Sequence, residues 1–222
     1  MDFYKLIQSL DELLYEVLSW LLFYPITVWR ILTRPVRTML SVESELAESE
    51  EMQFDDIVGP PLFLFLSLLL IHAVELGAGT GDELIKSSSG LSRFITSDSN
   101  LIEFRAIMFG LLPLTAARRL VKARGGHLDK QNVRAPFYAQ CYAAALYALV
   151  FNLILTIGAS WLKAKPHYWL PLMLLANIWL LAVETAWFRR ELGCSLVRGF
   201  GQALLMFLQW CALLLLFGFF FR

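Results

Sequence analysis

Five long apolar stretches run through this chain of 222 residues, and Lys and Arg crowd into every second gap between them. That alternation constrains the fold more than any motif does. A hydrocarbon core about 30 Å thick takes roughly 20 apolar residues per crossing helix. Backbone polar groups in lipid must be satisfied within their own segment, so the runs are read as helices. Ten-residue segments of alternating polarity, the mark of a membrane barrel, do not occur. Hydrophobic residues make up 58% of the chain, above the share in an ordinary soluble domain. The expected fold is an all-α membrane protein with five transmembrane helices, preceded by one or two amphipathic interfacial helices. The spans fall near 60–76, 101–120, 135–162, 168–188 and 200–221, within one membrane domain over 59–222.

Residues 1–40 are the least conventional part. From Asp2, a plausible N-cap, Phe3, Leu6, Leu10, Leu13 and Val17 recur at helical spacing, with Gln8, Asp11, Glu12 and Glu16 on the other face. This is an amphipathic pattern with a wide apolar stripe. Pro25 interrupts the apolar continuation, and Arg30, Arg34 and Arg37 close it. The expectation is two helices lying in the inner interface, with Trp20 and Trp29 at headgroup depth and the arginines toward lipid phosphates. Arg124 is expected to face lipid in the same way. The competing reading makes Leu13 to Leu32 a sixth span that tolerates Glu16, Pro25 and Arg30, against the cost of charge at membrane depth. The acidic n-region and lack of a small-residue cleavage site speak against a signal peptide. Residues 41–58 form an acidic connector carrying Glu43, Glu45, Glu48, Glu50, Glu51, Asp55 and Asp56. Such a run is a solvated linker or a docking strip for a basic partner.

Orientation follows from the bases. Thirteen Lys and Arg residues lie in the N-terminal region and in the second-to-third and fourth-to-fifth gaps, against five on the other side. The positive-inside rule then places the N-terminus in the cytoplasm and the C-terminus outside, as in a bacterial inner-membrane protein. In this arrangement the first span runs outward and the second returns, which brings His72, Glu75, Glu103 and Arg105 to a similar depth. His72 and Glu75 share a helix face, and Arg105 is expected to pair with Glu75 or to snorkel outward. Such a cluster is either a substrate or proton site or an ion pair that fixes helix register. Glu184, in the inner part of the fourth span, is expected to meet Arg118, Arg119, Arg189 or Arg198. Asn152, Asn177, Gln202 and Gln209 are expected to hydrogen-bond between helices, and Tyr138, Tyr142 and Tyr147 to act as interfacial anchors.

Other chemistries find little support. Net charge is zero, which points to no nucleic-acid partner. Cys141, Cys194 and Cys211 have no metal-like spacing, and His127 has no neighbouring His or Cys with which to hold zinc. No metal or cofactor is expected. P-loop, G-x-S-x-G, H-E-x-x-H and C-x-x-C patterns are missing.

The first span opens with Asp56-Ile57-Val58-Gly59-Pro60-Pro61. This resembles the D-L-Y-G-P signature at the start of the first span in the Yip (Ypt-interacting protein) family of five-span membrane proteins. Leu111-Leu112-Pro113-Leu114 at the end of the second span, the basic loop and the aromatic third span are similar to bacterial members of that type. The glycine- and tyrosine-rich motif expected in the third span is missing. The resemblance implies a cytosolic N-terminus, a five-span bundle and a role as a membrane scaffold or accessory subunit, rather than an enzyme. It also implies a lipid-bilayer setting with a membrane-protein partner or a homo-oligomer. The alternatives are a small transporter or permease component using the His72, Glu75, Glu103 and Arg105 cluster, and a lipid-acting membrane enzyme.

Overall fold

The computed structural model describes residues 3–49, 52–79, 98–161 and 165–220. Seven α-helices cover most of them: α1 (Phe3–Thr33), α2 (Pro35–Glu45), α3 (Pro60–Ala78), α4 (Asp98–Ala123), α5 (Lys130–Leu155), α6 (Pro166–Glu191) and α7 (Leu196–Phe220). A π-helical turn, Thr156–Trp161, continues α5. There is no strand among the described residues. Residues 80–97, between the first and second expected spans, lie outside them.

Among the described residues, four helices are long and apolar enough to cross a membrane: α3, α5 with its continuation to Gly158, α6, and α7 as far as Phe217. The expected second span, α4, is 26 residues long. It carries Glu103, Arg105, Arg118 and Arg119 and falls outside that group of four.

Helix boundaries follow local chemistry. Pro60 and Pro61 open α3, where a missing N–H costs nothing. Asp129 caps α5 by accepting the Asn132 backbone N–H at 2.8 Å. The helix therefore starts before the apolar run that announces it.

The centre is α5. It packs against α3 and α4 along its length, against α6 beside them, and against α2 at one end. Ala143, Ala144, Ala145 and Ala148 are fully buried. Small side chains let neighbouring backbones approach, which is how helices associate where lipid offers no hydrophobic drive. The end of the bundle that carries α2, Arg118, Arg124 and Arg189 is called the basic end below.

Residues 1–40 depart from expectation. Pro25 does not end the helix; α1 continues through it to Thr33, and the break comes at Arg34-Pro35. Nor does α1 lie across the end of the bundle. Thr27 sits against Val58, Tyr24 against Ser67, and Val17 and Trp20 share a groove with Leu66 and Leu70. Falling numbers on α1 match rising numbers on α3, so the two helices run antiparallel, side by side.

The reason is visible in the helix's two faces. Tyr24, Thr27 and Ile31 turn toward the protein, whereas Leu18, Leu21, Leu22 and Trp29 are exposed on the other side. A helix lying in the interface needs a polar face, and from Leu18 to Leu32 the outer face is apolar, the acidic residues Asp11 and Glu16 lying earlier in the helix.

Likewise α2 buries Thr38, Met39 and Val42 against α5 and α6 instead of offering them to lipid. It also takes up Ser41 to Glu45 of the acidic connector. The rest of the connector folds back. Glu45 accepts the Phe54 backbone N–H at 3.0 Å, and Asp56 pairs with Arg30 at 2.8 Å.

Candidate functional site

Charged and polar side chains inside the bundle gather at three levels. Near the end away from the basic one, Glu75 of α3 forms an ion pair with Arg105 of α4. Both side chains are mostly buried, at 12% and 14% exposure. His72 is buried one turn earlier on the same face of α3. Three of the four residues expected to share this depth are thus placed on the facing helices α3 and α4. The side chain of Glu103 lies outside the described set.

At mid-depth, Tyr147 of α5 donates to Asn177 Oδ1 of α6 at 3.1 Å, and its ring meets Trp210 of α7 edge-on at 5.9 Å. Asn177 and Gln202 link helices as expected. Asn152 instead returns its amide to the Ala148 carbonyl of its own helix at 2.8 Å.

Toward the basic end, Glu184 is fully buried. Its partner is not an arginine. Gln140 of α5 donates through Nε2 to Glu184 Oε2 at 2.8 Å. Arg119 of α4 turns to α7 and donates to Gln202 Oε1 at 2.7 Å. Arg118 and Arg189 are exposed.

The expected pairing of Glu184 with Arg118, Arg119 or Arg189 therefore does not form, for a geometric reason. The stripe of α6 that holds Glu184 faces α5, and Arg189, five residues on, lies well round the helix from it. A buried carboxyl group needs hydrogen bonds, and the carboxamide of Gln140 supplies one.

The basic end holds a cavity of about 160 Å³, walled by Glu43 of α2, Arg124 in the turn after α4, Asn132 and Pro136 of α5, and Glu191 of α6. Arg124 is ion-paired with Glu191 in this wall and also donates to the Glu191 carbonyl at 3.3 Å. Of the four arginines expected to face lipid, Arg30 and Arg124 are instead held by Asp56 and Glu191. Arg34 and Arg37 are exposed. The carboxylates come from a connector and a helix end that fold back onto the bundle.

The segment that opens α3 is a junction of three helices. Val58 is buried, its N–H donates to Thr27 Oγ1 of α1 at 3.0 Å, and its carbonyl accepts from the Tyr142 hydroxyl of α5 at 3.0 Å. Tyr142 is fully buried, so it is a clamp rather than an interfacial anchor. Neither Thr27 nor Tyr142 carries a sequence signal for this role beyond being a hydroxyl in an apolar run.

Among the described residues no group of three or more His, Cys, Asp or Glu side chains is arranged to hold a metal ion. Searches matched the chain to no protein-family model, no curated protein and no solved structure.

Proposed function

We propose that this protein is a non-enzymatic integral membrane scaffold or accessory subunit of Yip-like type. The observation that supports it most is that charged side chains within the bundle meet side chains of neighbouring helices. Glu75 meets Arg105, Glu184 meets Gln140, and Arg119 meets Gln202, around a central helix buried from Ala139 to Leu149. A transport path needs polar groups that open toward a substrate, whereas each of these pairs joins two helices, with Glu184 Oε1, Gln140 Oε1 and Arg119 Nε buried beside them. Purification from native membranes in mild detergent, without crosslinker, tests the proposal. A scaffold brings a stoichiometric partner or a self-assembly with it and gives no solute flux in proteoliposomes. Isolation as a lone monomer with measurable flux would sink it.

In the membrane, α4 is the further span beside the four apolar ones, and its Arg105 and Arg119 meet partners on α3 and α7. We take α1, which runs along α3 but falls outside the four apolar helices, as a crossing segment as well. The excess of Lys and Arg sets the basic end in the cytoplasm, with the C-terminal end of α7 on the opposite side. A membrane-impermeant thiol label on an added Cys at position 1 tests the course of α1. Labelling from outside intact cells is expected, and labelling only after lysis would return α1 to the inner interface.

A further inference from the structure

Outside the polar levels lies a groove between α6 and α7, with a volume of about 460 Å³, at the basic end of the bundle. Ile178, Ala182 and Ala186 of α6 form one wall, and Leu196 and Phe200 of α7 the other. Ile178, Leu196 and Phe200 are among the large exposed apolar side chains. Beside the groove the helices cross closely at Gly199, where even a Cβ would come within 2.9 Å of the Thr185 carbonyl oxygen.

On α6, residues 178, 182, 185 and 189 follow helical spacing along one stripe. Arg189 therefore sits at the basic mouth of the groove, one turn beyond Thr185 and beside Gly199. Arg190 and Arg198 flank it, and all three are exposed. No described carboxylate lies within ion-pair distance of any of them.

We infer that this groove binds an anionic phospholipid of the adjoining leaflet. One acyl chain lies along Ala182 and Ala186, and the phosphate rests on Arg189 between Arg190 and Arg198. Each half of the site matches a different part of the ligand: the walls are apolar, and the mouth is cationic. Ala182 and Ala186 also form the small-xxx-small spacing that favours helix pairing. A second copy is a poor occupant, however, because a two-fold contact along this stripe brings Arg189 near its own equivalent.

Native mass spectrometry of the delipidated full chain, titrated with phosphatidylglycerol or with phosphatidylcholine of the same acyl chains, tests the inference. The wild type is expected to retain one phosphatidylglycerol in preference to phosphatidylcholine. Arg189→Gln, at an exposed position, should weaken that binding about fivefold, as expected for loss of one basic contact at a membrane surface, and weaken phosphatidylcholine binding less, because its choline offsets the phosphate charge. Ala186→Leu should reduce binding of both lipids. Equal retention of the two lipids, or an Arg189→Gln variant that binds phosphatidylglycerol like the wild type, would overturn the inference. So would a dimer that Ala186→Leu converts to monomer with lipid binding intact, since the groove would then be a protein interface.

Discussion

Tyr142, in the middle of α5, donates its hydroxyl to the backbone carbonyl of Val58 at 3.0 Å, across 84 positions of sequence. From the other side, Thr27 of α1 accepts the Val58 N–H. Val58 precedes Gly59-Pro60-Pro61, where the chain is extended and has no helical partner to offer. A buried peptide unit without partners costs free energy comparable to a lost hydrogen bond. Two hydroxyls from two helices remove that cost and fix where α3 begins.

Tyr142→Phe keeps the ring and its tilted contact with Phe63 but orphans the Val58 carbonyl. The expected loss is about 1–3 kcal/mol, or a fall in Tm of roughly 2–12 °C for a chain of this size. Thr27→Val, which keeps the shape and removes the acceptor, should fall in the same range. Tryptophan fluorescence during thermal unfolding in detergent reads both variants. An unchanged Tm in Tyr142→Phe would show that Val58 is solvated from elsewhere.

The Gln140–Glu184 pair makes a prediction about order rather than size. Glu184→Gln keeps an acceptor for the Gln140 amide and a similar volume, so it should stay within about 1 kcal/mol of the wild type. Glu184→Leu strands buried amide protons and should cost about 1–3 kcal/mol. Adding Gln140→Leu to it should recover most of that loss, because two apolar groups need no partners. Unfolding titrations in mixed detergent micelles read the cycle. A double variant less stable than Glu184→Leu alone would mean that the carboxamide has a second partner.

Helix positions were legible in the sequence because apolar length and base counting are written in composition. The four apolar helices lie where their runs lie, with ends adjusted by caps such as Asp129. The course of α1 was not legible. Pro25 and Arg30 count as penalties when a span is scored one residue at a time. In the structure Pro25 is exposed, and Arg30 meets Asp56 from the connector.

The partner of Glu184 was obscured for a related reason. Sequence reasoning pairs charges by sign and depth, whereas the helix stripe decides which neighbour is reached. Glu75 and Arg105 were easier to read, since opposite charges on two adjoining antiparallel helices leave few other arrangements.

Arg30 and Asp56 should matter little to stability despite their 2.8 Å contact, because their side chains are 37% and 56% exposed. Exposed pairs are worth about 0–1 kcal/mol and are screened by salt. Asp56→Asn is expected to lower Tm by no more than about 4 °C at low salt, and by less in 0.5 M NaCl. A larger, salt-insensitive loss would show that the connector's fold depends on Asp56 by some other contact.

Two glycines in one helix provide the sharpest test of the packing. Gly199 and Gly201 are both in α7, two residues apart, so helix propensity treats them alike. Their surroundings differ. A Cβ on Gly199 would come within 2.9 Å of the Thr185 carbonyl oxygen and 3.2 Å of Arg189 Cβ, whereas nothing lies within 4 Å of one on Gly201. The first set of neighbours includes backbone and cannot swing aside, so Gly199→Ala must push α6 and α7 apart at a typical overpacking cost of about 1–3 kcal/mol. Gly201→Ala meets open space and should be neutral or gain up to about 1 kcal/mol of helix propensity. Thermal unfolding of the two variants side by side gives opposite signs if the α6–α7 crossing is as close as described. Equal shifts would mean that the helices meet elsewhere, and the groove beside Gly199 would lose its geometric basis.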